Sequence, residues 1–336
     1  MRLSALLFAV LLSLSLTLVP VTPADNLLVG SHENESGSYT FERWTDTGTL
    51  ALTGKLDVGR TNHTATKLQN GSIFLAGSLL DSTSIEVIDD SGNVLYTNLL
   101  KDQRVSAAAT LLNNGNVFIC AGTNTPATWE IHSPTGALVS SGSLQDARGA
   151  SAAAVSLPNG NVWISGGVDA AQTWEVRDIN GNLVSYGNLQ DPRAGAKVIL
   201  LASGNLMLIG GTTSGTWEID TPGGVMLSFG NLYNPRDSGS GAVTLMNSNI
   251  FIFGASNYGS IGTWEIRAAN GSFISTGNLN TPEGGATAAL QSNGNVFIAG
   301  GGTEEYIWQI YSPSGSLVST GTLWDNRGAG HSQTHF

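Results

Sequence analysis

Six arginines recur at nearly constant spacing, Arg60, Arg104, Arg148, Arg193, Arg236 and Arg327, and Glu283 stands where a seventh would fall. A guanidinium is a planar fork of donors that matches a carboxylate, so a ring of arginines suits an acidic ligand. The sequence also offers each arginine an internal partner. Trp-Glu pairs recur as Trp129-Glu130, Trp174-Glu175, Trp217-Glu218 and Trp264-Glu265, with weaker copies at Phe41-Glu42, Ile85-Glu86 and Trp308-Gln309. Both series advance by the same steps, 44, 44, 45, 43, 47 and 44 residues. A ligand seldom needs the same contact from every repeat, so equal spacing favours Arg-Glu pairing inside the fold. From sequence alone both uses stay open.

Other candidates are less regular. An exposed indole stacks on sugar, but a Trp returning once per repeat in a β-rich segment is expected as a wedge between neighbouring sheets. Irregular stretches, where binding specificity usually sits, are Ser31 to Ser38, Asp81 to Ser84, Asn257-Tyr258 and Glu304-Glu305-Tyr306. His331 and His335 share one face of the last segment, and His63 lies one repeat away; together they have the donor type for a metal, although a surface tail is the expectation. Asp178-Ile179-Asn180-Gly181-Asn182 faintly suggests a calcium loop, which a hairpin turn explains without an ion. Cys120 ends the apolar run Val117-Phe118-Ile119-Cys120 and is expected as a buried, inert thiol. No Ser-His-Asp set can be nominated. Neither a catalytic residue nor a cofactor is expected.

The elements that carry these residues follow from the repeat itself. In residues 149–189, Gly149 to Leu157 is small and apolar, Asn161 to Gly167 is β-branched and aromatic, Thr173 to Asp178 alternates, and Leu183 to Leu189 closes the unit. Asn159-Gly160 and Asn180-Gly181 separate these runs and are expected as type I′ hairpin turns. A four-stranded antiparallel unit of this length is a propeller blade rather than a helical solenoid repeat. First strands are poor in bulk (Ala107-Ala108-Ala109, Ala152-Ala153-Ala154, Gly284-Gly285-Ala286), as expected where blades crowd around a channel.

The chain ends set the blade count. Residues 26–31, 40–42 and 49–56 resemble the second, third and fourth strands of a unit, while Gly328 to Phe336 resembles a first strand. The expected fold is therefore all-β, a seven-bladed β-propeller whose C-terminal strand pairs with an N-terminal three-strand part-blade. Six blades with ragged ends is the alternative, and it leaves residues 26–56 unexplained. Closure removes sheet edges that would template aggregation.

Composition narrows the function. A formal net charge of −11 with 14 Lys plus Arg argues against nucleic acid or an anionic membrane as partner. One cysteine rules out an intrachain disulfide. Residues 1–24 read as a cleaved secretory signal: Arg2 supplies the charge, Leu3 to Val19 the apolar run, and Pro20, Pro23 and Ala24 the break before Asp25. An uncleaved anchor is the rival reading, and the run is short for a membrane span. The protein is expected to be extracellular, or periplasmic in a bacterium, with the propeller over 25–336 and a monomeric state.

Arginine, a small-residue strand, an apolar run ending in Gly-Gly and a Trp-containing half together resemble the kelch repeat of galactose-oxidase-like propellers, over about residues 26–336. Gly166-Gly167, Gly210-Gly211 and Gly300-Gly301 keep the diglycine, whereas Ala76-Gly77, Ala121-Gly122 and Phe253-Gly254 do not. The resemblance implies that arginines at the channel mouth grip acidic ligands. It also raises copper radical oxidase chemistry, which needs a tyrosine crosslinked to cysteine, two histidines and a second tyrosine. The expected function is a secreted, non-catalytic module binding a protein or glycan through its loop face. A carbohydrate-active or copper-oxidase-like enzyme on the same propeller is the alternative.

Overall fold

A computed structural model describes residues 25–30, 39–211, 215–255, 262–282, 284–301, 306–328 and 332–335. The proposed signal, residues 1–24, lies outside them. Among the described residues no helix is long and apolar enough to cross a membrane. The fold is all-β: seven sheets, each of four antiparallel strands. Blade one takes Asp25–Val29, Thr40–Thr45 and Leu50–Lys55 from the N-terminus and Ser332–His335 from the C-terminus. Leu27 pairs with Thr334 and Leu28 with Gln333, so the chain ends close the ring. Blades two to seven are continuous in sequence and begin at Thr64, Ala108, Ala152, Lys197, Gly241 and Thr287. Their first strands touch in cyclic order, and Ser332–His335 completes the circle between Thr287–Leu290 and Thr64–Lys67.

Burial follows the radial position of each strand. Second strands such as Ile73–Ala76, Leu206–Ile209 and Ile250–Phe253 are buried at every residue, because a sheet packs on both of their faces. Fourth strands such as Leu183–Asn188 alternate between exposed and half-buried residues, as an outer edge requires. The expected Trp wedges are found. Trp129, Trp174, Trp217, Trp264 and Trp308 are 5–7% exposed. Each indole lies against a glycine of its own fourth strand and a turn glycine of the next blade. For Trp308 that second glycine is Gly48 of blade one, so the wedge crosses the seam.

Two local expectations are corrected. The turns at Asn159-Gly160 and Asn180-Gly181 are not type I′, because only the glycine has positive φ (86° and 88°). Gly160 N donates to Leu157 O and Leu157 N to Asn161 O, a three-residue loop in which the glycine takes the left-handed position. The diglycine register also shifts. The residue that ends or follows each second strand is Gly30, Gly77, Ala121, Gly166, Gly210, Gly254 or Gly300, with φ between 59° and 69°. A Cβ at Gly77, Gly166 or Gly210 would collide with the carbonyl of the next blade's arginine. Ala121 alone carries a side chain here, at φ 59°. Ala121→Gly should therefore raise stability by about 1 kcal/mol through relief of left-handed strain, read as a higher urea midpoint.

Candidate functional site

The recurrent arginines are buried at 0–1% exposure. Arg60, Arg104, Arg193 and Arg327 bond Glu86, Glu130, Glu218 and Glu42 at 2.8–3.0 Å, and Arg148 reaches Glu175 at 3.3 Å. The same guanidiniums hold backbone carbonyls; Arg60 Nη1 donates to Gly77 O and Ser84 O. Each glutamate in turn accepts backbone N–H groups from the end of the preceding blade, as Glu86 does from Asp57 and Val58. The unit is thus a buried knot that ties one blade to the next. Arg236 is the variant: it holds Gly254 O and Thr263 O, while Glu265 bonds Arg267 at 2.6 Å. The expected grip of Arg60, Arg104, Arg148, Arg193, Arg236 and Arg327 on an acidic ligand is corrected accordingly, since these guanidiniums face carboxylates and carbonyls of the protein itself.

Blade seven shows the logic from the other side. Glu283 stands at the arginine position and Gln309 at the glutamate position, so the cation and its buried counter-charge are lost together. Gln309 then bonds the backbone N–H and carbonyl of Thr281, each at 3.1 Å, and accepts from Tyr311 Oη at 2.9 Å.

The irregular candidates fall largely elsewhere. Asn257, Tyr258, Glu304 and Glu305 lie outside the described residues, as do Ser31 to Ser38, Glu283 and His331, and the side chain of His335 is not described. His63 is half-buried at the entry to the first strand of blade two. Cys120 is fully buried beside Ala108 and Trp129, and burial pushes its thiol up to about 12. Asp178 bonds Asn180 N, Asn182 N and Asn182 Nδ2, so its carboxylate serves the turn.

Among the concavities of the described residues, one takes in Asp81 and Ser84 of the irregular stretches, and two others lie at the channel and the seam. The first of these two opens in the central channel, about 220 Å³, lined by Lys197, Gly241, Ala242, Ala286, Thr287 and Ala288. Lys197 keeps its side chain exposed, and partial desolvation inside the ring lowers its ammonium's pKa from the ordinary value. The other is a cleft of about 680 Å³ at the seam, lined by Tyr39, Thr40, Lys55, Leu56, Trp324 and Asp325. Trp324 is 56% exposed and Tyr39 50%, whereas the other seven Trp residues are at most 7% exposed. The backbone beneath both rings is fixed. Trp324 N donates to Glu42 Oε2 at 3.0 Å, and Tyr39 O accepts from Leu56 N at 2.8 Å. Asp325 accepts from the Thr40 hydroxyl at 2.9 Å and so bridges the two chain ends. Two rigid aromatic faces beside a lysine and hydroxyl make a surface suited to stacking a sugar ring and bonding its hydroxyls. Sequence reasoning missed Trp324, although its signal was present: it is a Trp off the Trp-Glu register, in the segment Leu323-Trp324-Asp325-Asn326-Arg327.

Comparison with known proteins supports the fold alone. No family model and no curated protein matches the chain. Among solved structures it is similar to a fungal alcohol oxidase of the AA5 family in complex with copper, at TM-score 0.67 and 16% identity over 84% of this chain and 70% of that one. A functionally unknown protein from Desulfotomaculum acetoxidans gives TM-score 0.67 and 14% identity over 93% and 99%. Virginiamycin B lyase from Staphylococcus aureus gives 0.60 and 12% over 81% and 85%.

Proposed function

We propose that this chain is a secreted, non-catalytic binding module of kelch-like type, and that the seam cleft holds a saccharide. The carrying observation is Trp324, an exposed indole set beside Tyr39 on a pinned backbone while every other Trp is buried. An indole more than half exposed, with a second half-exposed aromatic lining the same cleft, offers solvent a stacking face. The arginine knots are engaged in the scaffold, which leaves recognition to the loops and the rim.

The oxidase alternative draws on the copper-containing neighbour, but its donor set fits poorly here. Cys120 sits in blade three, and the described tyrosines at 39, 96, 186, 233, 306 and 311 all belong to other blades. The cysteine-tyrosine crosslink would therefore require residues that the second strand of blade three does not bring together.

The test is a glycan array followed by titration of hits against wild type, Trp324→Ala and Tyr39→Ala. Loss of a stacking face should weaken binding about 30-fold or more, in the range of a truncated aromatic hot spot. Unchanged affinity in both variants would remove the cleft from consideration, and binding only to a protein array would replace the saccharide reading.

A further inference from the structure

Two residues beyond the periodic glutamate, each third strand places one side chain back into the inter-blade slot. In five blades that side chain donates to the residue at the glutamate position; Trp44 and Tyr311 do so to Glu42 and Gln309, and three others also reach a turn carbonyl. His132 meets Glu130 at 2.8 Å and the carbonyl of Gly136 at 2.9 Å. Arg177 donates to Glu175 and to Gly181 O, both at 2.9 Å. Arg267 donates to Glu265 at 2.6 Å and to Gly271 O at 2.8 Å. Blade five carries Asp220 instead, in the same register, opposite Met226 at the same bulge. Gly224 keeps the turn geometry of Gly181 and Gly271, with φ 78° against 88° and 85°. An acceptor has therefore replaced the donor between a glutamate and a glycine carbonyl.

Asp220 is 3% exposed, and its Oδ1 is buried with no hydrogen-bond partner. A buried carboxylate oxygen left without a donor is costly, and such groups usually pair or coordinate a metal. Glu218 is already matched by Arg193 at 2.9 Å, so the slot keeps one uncompensated negative charge. Its donors are all oxygen, the set that suits a hard cation.

We propose that the blade-five slot is a structural site for a small hard cation such as Na⁺ or Ca²⁺. The Asp220 and Glu218 carboxylates and the Gly224 carbonyl hold the ion where blades four and six place a guanidinium. The electrostatics agree. Burial first, then the Glu218 charge, push the Asp220 carboxyl up to about 6, while Arg193 pulls the other way. The site thus gains from any positive charge, and a proton competes with the metal.

Thermal unfolding of chelator-treated protein at pH 7.5 tests this, with choline chloride compared against sodium, potassium and calcium chlorides at matched ionic strength. At least one metal salt should raise Tm by about 3 °C or more over choline. Asp220→Asn should lose that rise. Asp220→Arg, copying Arg177, should melt at the same temperature in every salt while staying folded by circular dichroism. A wild-type Tm equal in all four salts would overturn the proposal. So would a metal-dependent rise that survives in Asp220→Asn. A Tm that moves with pH between 5 and 7 but never with the cation would assign the slot to a proton.

Discussion

Deleting residues 329–336 is expected to open the ring and lower Tm by about 10 °C or more. The deletion removes the strand Ser332–His335, which pairs with four residues of Asp25–Val29. That second strand holds Leu27, Leu28 and Val29, each at most 1% exposed. Fully exposing a side chain of this type costs about 1.5–3 kcal/mol, so partial exposure of three, with the lost ladder, amounts to about 5 kcal/mol. The truncated chain also presents an unpaired edge, which should show as concentration-dependent aggregation. Arg327 is retained in this variant. Its bonds to Glu42, Gly30 O and Thr40 O therefore still hold the seam from outside, and the measured loss reports the strand itself. Differential scanning fluorimetry and light scattering at two protein concentrations suffice. Unchanged melting would contradict closure by strand pairing.

The second large effect concerns one knot. Glu130 accepts from Lys101 N, Asp102 N, Arg104 Nε and His132 Nε2, all within 3.0 Å. Glu130→Gln leaves the buried Arg104 with only the more exposed Asp102 carboxylate at 3.5 Å and points an amide donor at donors. A cost of about 3–5 kcal/mol is expected, the range for breaking a buried ion pair. Adding Arg104→Met and His132→Tyr should restore at least half of it, because blade seven also lacks the arginine and sets a tyrosine beside its glutamine. Acid gives an independent check. Burial alone pushes the Glu130 carboxyl up, but the His132 bond, the Arg104 charge and the two backbone N–H groups outweigh it and hold the pKa at about 2. The folded state therefore binds fewer protons than the unfolded state between about pH 4.5 and 2. The contribution of Glu130 is fully present above that window and is lost as pH falls through it. Urea midpoints of wild type and Glu130→Gln should accordingly converge between pH 5 and 2.5, and a constant gap would refute the assigned role.

Much of this architecture was legible because a propeller writes its geometry into spacing. The shared irregularities of the arginine and glutamate series gave seven units, and strand-like residues 26–56 with no preceding first strand located the seam. What the series means was harder to read. Arg104 and Glu130 stand 26 residues apart in sequence, and nothing local shows that a third strand carries the glutamate back beneath the arginine loop. The turn type was misjudged because Asn-Gly suits two hairpin loops, and only backbone torsions separate them. The diglycine register slipped by one residue at Ala76-Gly77 and Phe253-Gly254, because there the left-handed glycine is followed by a residue other than glycine, and at Ala121 an alanine takes that torsion.

The candidate site was less legible still, because the seam cleft joins residues nearly a full chain length apart. Tyr39 and Trp324 come together only when the C-terminal strand pairs with the N-terminal part-blade. Each residue alone is an unremarked aromatic beside a turn. Their meeting is a property of ring closure, so fold and proposed function rest on the same seam.

Tryptophan fluorescence reports on that seam directly, because Trp324 is the one Trp of eight with more than 7% exposure. Iodide should quench a single accessible component in the free protein, and Trp324→Phe should remove it. If a saccharide from the array occupies the cleft, saturating ligand will protect that component with the affinity measured by calorimetry. Saturable binding that leaves iodide quenching unchanged would contradict the account, because the ligand would then sit away from Trp324.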